Sequence, residues 1–381
     1  MELTPKRSEI ISAFYRHNED RNKARIFYER EMTMAFINAR NALKPNGILS
    51  VVYAHKTTLG WATIIDSLRQ AGLFVSEAWP LATERMGGMR VEKAMLASSI
   101  FITCRVRDKE TKSGNYEEEV LPELNRIVRE RLDTLWRMGI TGADLVIAAV
   151  GAGLRAFTRF ARVEYANGEE VPTAKFLAEV EGVVLETMLE KIFGLTGSSV
   201  AAVDGATRFY VLWRYTYGAA EMDAGEAIVF TYGQNVELDG LKGLSTGSRA
   251  LVEKKKGKYR LRDYDERGNN DKLGMPTDEG KPPLLIDALH RILWLMENEP
   301  RNLNQFLDEA RPDSERLRVV AQALAGAALA GKKEDGAELS ITTTAVEQAA
   351  LKKLIANWRP LIDQRLAVGE MFPFERKGGK K

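Results

Sequence analysis

Lys44-Pro45-Asn46-Gly47-Ile48-Leu49-Ser50-Val51-Val52-Tyr53-Ala54 is the stretch that decides the fold. Pro-Asn-Gly stops whatever precedes it, and a short, almost continuously apolar run follows. The run from Ile48 to Ala54 predicts a strand buried on both faces of a parallel sheet. Upstream, Tyr28, Met32, Ala35, Phe36, Ala39 and Leu43 keep helical spacing between Asn22 and Leu43. Downstream, Trp61, Ile64, Ile65 and Leu68 predict a second helix closed by Gly72. Phe74–Trp79 and Ser98–Cys104 predict two more strands, separated by the polar loop Thr83–Arg90. This is α/β, yet it supplies only about three strands, half of a doubly wound sheet.

Past the charged linker Asp108–Asn115 the period becomes 3.6 almost throughout. Leu121, Leu124, Val128, Leu132 and Leu135 mark one helix, and Pro172 opens another carrying Leu177, Val180, Val184, Met188 and Ile192. Further helices are predicted around Leu285–Met296, Leu317–Leu324 and Val346–Trp358, with a polar loop over 263–283. Arg208–Tyr217, Ala224–Tyr232 and Val236–Leu244 precede a basic hairpin, which together predict a winged helix. The expected division is therefore a half-domain at 1–108, a helical domain at 109–203 and a winged-helix module at 204–267. A helical region at 284–371 and a disordered tail at 372–381 complete it.

Composition narrows the function. The 381 residues carry 55 Lys+Arg against 53 Asp+Glu, with one cysteine and three histidines. Residues 1–108 hold 16 basic and 11 acidic residues (+5), leaving 39 and 42 (−3) for the other 273. A single Cys104 excludes a disulfide framework and a zinc ribbon and fits a reducing cytosol. No run approaches the roughly 18–20 apolar residues that span a bilayer, and the N-terminus has no signal-peptide core. A soluble cytoplasmic protein is expected. His17, His55 and His290 lack metal-ligand spacing. His290 reads as a core histidine, and no carboxylates pair into an acid–base site.

Leu3-Thr4-Pro5-Lys6, Tyr15-Arg16-His17, Phe27-Tyr28-Glu29, Ala42–Leu49, Val51–Lys56, Trp61 and Ala97–Ile100 occur in a particular order. Gly142–Leu145, Thr207–Tyr210, Leu212-Trp213-Arg214 and Leu285–His290 continue it. In order and spacing the chain resembles the C-terminal half of the zinc-ribbon-containing adenine-specific DNA methylases of bacteria and archaea. The resemblance implies a Rossmann-like half-domain, S-adenosylmethionine chemistry on the adenine N6 and DNA as partner. An Asp/Asn-Pro-Pro-Tyr tetrapeptide and a Gly-rich cofactor turn, which such enzymes use on a flipped-out adenine, are absent from this sequence. The expectation is a truncated or split enzyme, inactive and without cofactor binding by itself, that depends on a separate N-terminal fragment. A non-catalytic DNA-binding or assembly module of a DNA modification or defence system is the alternative.

Four residues are candidates for the edge of a base or cofactor pocket. His55 and Lys56 end the first strand, where ligands of open α/β sheets bind. Trp79 could stack on a base, and Arg85, with Arg90, could hold phosphates. Leu145–Val150 followed by Gly151-Ala152-Gly153 could pass for a cofactor turn, although no acid-ended strand follows and close helix packing is the default reading. The strongest nucleic-acid signal is Arg249–Arg262, seven basic residues against Glu253. Lys254, Lys255, Lys256, Lys258, Arg260 and Arg262 are the candidate DNA contacts, with a solvated charged face as the plain reading.

Overall fold

A computed structural model describes residues 9–53, 58–82, 98–108, 113–138, 142–194, 200, 203–276, 282–326 and 345–371. The protein is mixed α/β, about 60% helical, with small sheets. It divides into two compact units: 1–86, 96–134 and 144–184 in the first, and 87–95, 135–143 and 185–381 in the second. Among the described residues no helix is long and apolar enough to cross a membrane.

The first unit is built on a three-stranded sheet. Helix α1 (Arg21–Ala42) starts at Asp20, whose carboxylate accepts from the backbone N–H groups of Asn22 and Lys23, and it stops at the Pro45 turn. Strand β1 (Leu49–Tyr53), helix α2 (Thr58–Gln70), β2 (Leu73–Ala82) and β3 (Ser98–Val106) follow. Their order is β1-β3-β2, with β3 antiparallel to both neighbours. Hence β1 and β2 run parallel, joined across α2, and the last strand is inserted backwards between them. A β-bulge between Val75 and Glu77 adds Ser76 to β2.

This corrects the expectation for 48–54. β1 pairs antiparallel, its residues alternate between half-buried and exposed, and Val52 is 57% exposed. An edge strand keeps only one face and one side covered.

The covered face of the sheet is closed by helices beyond the expected boundary at 108. Helices α3 (Leu121–Arg137), α4 (Gly142–Thr158) and the first part of α5 (Thr173–Gly194) group with the sheet up to residue 184. Val75, Ala78, Ile100, Ile102 and Cys104 are all buried there. A Cβ added to Gly151 would stand 2.6 Å from the Ala78 Cβ, and one on Gly153 2.8 Å from Val180. Small residues let α4 approach β2 and α5 this closely. Polar groups stitch the same seam. The Val75 N–H donates to Thr158 Oγ1 (2.9 Å), and Arg107 donates to the carbonyls of Thr158 and Phe160.

In the second unit, α6 (Gly205–Tyr217) and α9 (Leu285–Asn298) are the central helices, each with ten buried residues. Asp204 joins their starts: its carboxylate accepts from the N–H of Thr207 and from that of Leu285, both at 2.9 Å. Around them lie β6 (Met222–Asp223), α7 (Ala224–Val229), the hairpin β7 (Val252–Lys255) and β8 (Lys258–Leu261), and α8 (Tyr264–Arg267). Helices α10 (Leu303–Ala310), α11 (Ser314–Gly326), α12 (Ala345–Ala356) and α13 (Gln364–Met371) complete it. A helical turn, α8, thus stands within the expected loop 263–283. Its N-terminus is closed by a capping box, in which the Asp263 carboxylate accepts from the Glu266 N–H and the Glu266 carboxylate from the Asp263 N–H. The expected tail 372–381 lies outside the described residues.

Candidate nucleic-acid interface and the network that mounts it

The basic segment forms the predicted hairpin. β7 and β8 pair antiparallel with Val252 opposite Leu261, Glu253 opposite Arg260, Lys254 opposite Tyr259 and Lys255 opposite Lys258. Lys256 and Gly257 form a two-residue turn, both with positive φ (50° and 77°), the pattern of a type I′ connection. β6 adds to β8, making a three-stranded sheet β6-β8-β7. Two helices, a short strand between them and a hairpin are therefore present, as in a winged helix.

The third helix is not. Val236–Leu244 has no helical hydrogen-bonding, and this corrects the winged-helix expectation. Asp239 is the reason. Its carboxylate accepts from Ser245 Oγ (2.6 Å), Lys254 Nζ (2.8 Å) and the Tyr259 hydroxyl, folding 237–245 over the hairpin as a loop. Gly240 in the left-handed region completes the bend. Those three donors, Lys254 first, hold the Asp239 carboxyl down at about 2. The position of a recognition helix is thus occupied by a loop.

The six candidate cations are not equivalent. Lys254 is engaged by Asp239, and its ammonium is held in the charged form by that bond. Arg260 sits between Glu253 (2.5 Å) and Glu266 (2.6 Å). Arg262 donates to the Glu266 carbonyl at 3.4 Å. Lys255, Lys256 and Lys258 form no ion pair with any described residue, and they crowd the turn.

The base of the hairpin is fixed by a buried arginine. Arg267 of α8 donates from Nε to the Ala250 carbonyl (3.0 Å) and from Nη2 to the Arg249 carbonyl (2.7 Å) and Asp287 Oδ1 (2.5 Å). Its Nη1 lies 2.8 Å from His290 Nδ1. A guanidinium can only donate, so Nδ1 accepts and the proton sits on Nε2, which faces Glu347 Oε1 at 3.8 Å. Glu347 in turn accepts from the Tyr210 hydroxyl (2.6 Å) and pairs with Arg214 (3.2 Å). Burial pushes His290 down to about 4, so the ring is neutral. Burial opposes ionisation of Glu347 too, but the Arg214 charge, the facing His290 ring and the bond from Tyr210 hold its carboxyl below the usual range. Sequence spacing carried this signal. Asp287, His290 and Arg291 fall at i, i+3 and i+4, and Tyr210 and Arg214 at i and i+4, so both sets share a buried helix face. The absence of paired carboxylates in the sequence reading missed it, because the partners come from helices far apart in the chain.

The other candidates separate. His55, Lys56, Arg85 and Arg90 lie outside the described residues. Trp79 is 39% exposed, and the Arg131 guanidinium stacks over its ring at 3.8 Å while donating to the Ala78 carbonyl. One face of the indole is therefore taken. Cys104 is fully buried, and burial pushes its thiol up to about 12, as suits a small core residue. Gly151-Ala152-Gly153 stands inside α4 against Ala78 and Val180, not in a strand-to-helix turn, and serves close helix packing. Among the described residues no group of three or more His, Cys, Asp or Glu could hold a metal ion. No protein-family model, no curated protein and no solved structure matches the chain.

Proposed function

We propose that this chain is the C-terminal portion of an S-adenosylmethionine-dependent adenine-N6 DNA methyltransferase. It works only with an N-terminal piece that brings the cofactor turn and the Asp/Asn-Pro-Pro-Tyr tetrapeptide. The observation that carries the reading is the sheet β1-β3-β2: two parallel strands joined across α2, with a closing strand reversed between them. Three strands, two of them parallel across a helix, fit the half of an α/β sheet that the resemblance implies. The uncovered margin supports it. Phe14, Tyr15, Ile26, Met34, Ile48 and Val52, all on or beside α1 and β1, are exposed apolar residues, and only Ala24 and Phe36 of α1 are buried. Transfer of labelled methyl groups to duplex DNA tests the reading. The chain alone should give background. Addition of a polypeptide encoded directly upstream, carrying the turn and the tetrapeptide, should give transfer. If no such frame exists, or the mixture stays inactive, the reading fails. One-to-one saturable binding of S-adenosylmethionine to residues 1–381 in calorimetry would show that the N-terminal piece is not needed for the cofactor.

A second reading, a non-catalytic DNA-binding or assembly module of a modification or defence system, is favoured by a different observation. Lys255, Lys256 and Lys258 of the hairpin form no ion pair with any described residue. In that case the chain binds DNA at full strength without any N-terminal piece.

A further inference from the structure

We infer that the tip of the β7–β8 hairpin, Lys255, Lys256 and Lys258, is a contact for the phosphate backbone of duplex nucleic acid, about three phosphates wide and blind to base sequence. The inference deepens the second reading and does not depend on the first. Charge along the hairpin is graded. Toward its base Lys254 and Arg260 each meet an acid: Glu253 lies opposite Arg260, Glu266 clasps the same guanidinium, and Asp239 holds Lys254. At the tip the rule reverses. Lys255 lies directly opposite Lys258, a like-charged cross-strand pair that costs stability. Lys256 occupies a left-handed turn position that Asn or Gly fills more easily. Lys255 and Lys256 are exposed and Lys258 half-buried, so packing at the tip does not demand lysine there. Two local penalties at one exposed turn, both incurred to keep ammonium groups together, point to an anion that compensates them.

The form of the anion follows from what surrounds the tip. Single strands are held by stacking on aromatic rings, and the only aromatic residue in the hairpin, Tyr259, is buried with its hydroxyl on Asp239. Reading base edges needs a helix or ribbon seated in a groove, and the loop 236–244 stands where a recognition helix would be. Asp239, Glu253 and Glu266 border the tip on the hairpin side and repel phosphates beyond it, which limits the footprint. What is left is a narrow, sequence-independent contact to the backbone of a duplex.

Fluorescence anisotropy of the full chain with a labelled 24-base-pair duplex, titrated between 20 and 200 mM salt, tests this. Each phosphate neutralised contributes about −0.9 to the slope of log K against log salt, so the wild-type slope should be about −3. K255Q/K256N/K258Q, in which Asn suits the turn, should weaken binding roughly tenfold or more at low salt and flatten the slope by about 2–3 units, with unchanged circular dichroism. K255R/K258R should bind like the wild type. K254Q should leave the slope within about half a unit, because Lys254 is committed to Asp239. The inference is overturned by no binding at 20 mM salt, by a triple variant with the wild-type slope, or by equal affinity for the single strand. Competition by polyglutamate as strong as by unlabelled duplex would also overturn it and assign the tip to an acidic protein partner.

Discussion

The α1/β1 margin of the first unit and the α6/α9/α12 core of the second solve opposite problems. At the margin, a 22-residue helix buries two residues, and an edge strand holds Val52 in solvent. In the core, Arg214, Glu347, His290, Arg267 and Asp287 are all nearly inaccessible, and the charges answer one another. Exposed apolar area costs little while a chain is alone and stabilises only on association. Buried charge cannot wait for a partner, since each ion without its counterion costs several kcal/mol. Among the described residues the first region leaves apolar side chains open to solvent, and the second answers its own charges.

The largest expected effect comes from removing what covers the sheet. Residues 1–108 alone expose the face of Val75, Ile102 and Cys104 that α4 closes, and should be aggregated or molten. A sharp, cooperative melt of that fragment as a monomer would show the sheet to be self-sufficient. Next is Glu347→Ala, which strands the Arg214 guanidinium and should cost about 3–5 kcal/mol by urea unfolding. The apolar double replacement R214M/E347L should cost clearly less; equal losses would mean that the pair is not electrostatically coupled.

Acid should act on the same core. His290 titrates near 6.5 when unfolded and near 4 when folded, so below pH 6.5 the unfolded chain binds a proton that the folded chain refuses. Stability from this group is therefore fully present above 6.5. It falls by up to about 1.4 kcal/mol per pH unit as acid is added, and levels off below 4 at a loss of about 3 kcal/mol. Glu347, with a depressed carboxyl, adds its own loss only below its ordinary value of 4.5. H290Q, which still offers Arg267 an acceptor, should flatten the stability profile between pH 4.5 and 6.5. An unchanged slope would place the titration elsewhere. The smallest effect is at the margin: Val52→Asp should alter stability by less than about 0.5 kcal/mol in the isolated chain, whereas Ile102→Asp, on the covered face, should prevent folding. A large loss at Val52 would mean that the margin is already covered.

Much of the architecture was legible because local signals agreed. Pro45-Asn46-Gly47, Gly72 and Pro172 bound their helices where the apolar spacing says they should. Partnership was harder to see. The apolar run 48–54 looks the same whether a strand is central or marginal, and only the position of β3 settles it. The loop 236–244 has helix-compatible residues, but Asp239 gains three donors by staying unwound. Of the candidate site, the hairpin and its charge were readable in Lys254-Lys255-Lys256-Gly257-Lys258. Which of those lysines is spoken for depends on Asp239, which holds Lys254 from a loop well upstream, and no short-range rule links the two.

The bulge at Ser76 gives the first unit its sidedness by parity. Paired without the bulge, the same sequence would put Val75, Glu77 and Trp79 on one face, an acid and an indole thrust toward α4. With it, Val75 and Ala78 share the covered face, while Trp79 pairs with Phe101 and meets Arg131. One inserted residue thus works as a phase shift, dividing β2 into two halves of opposite sense. Deleting Ser76 would remove the bulge and leave Val75 and Ala78 two positions apart on the covered face, so that plain alternation would then keep the facing that the bulge now sets.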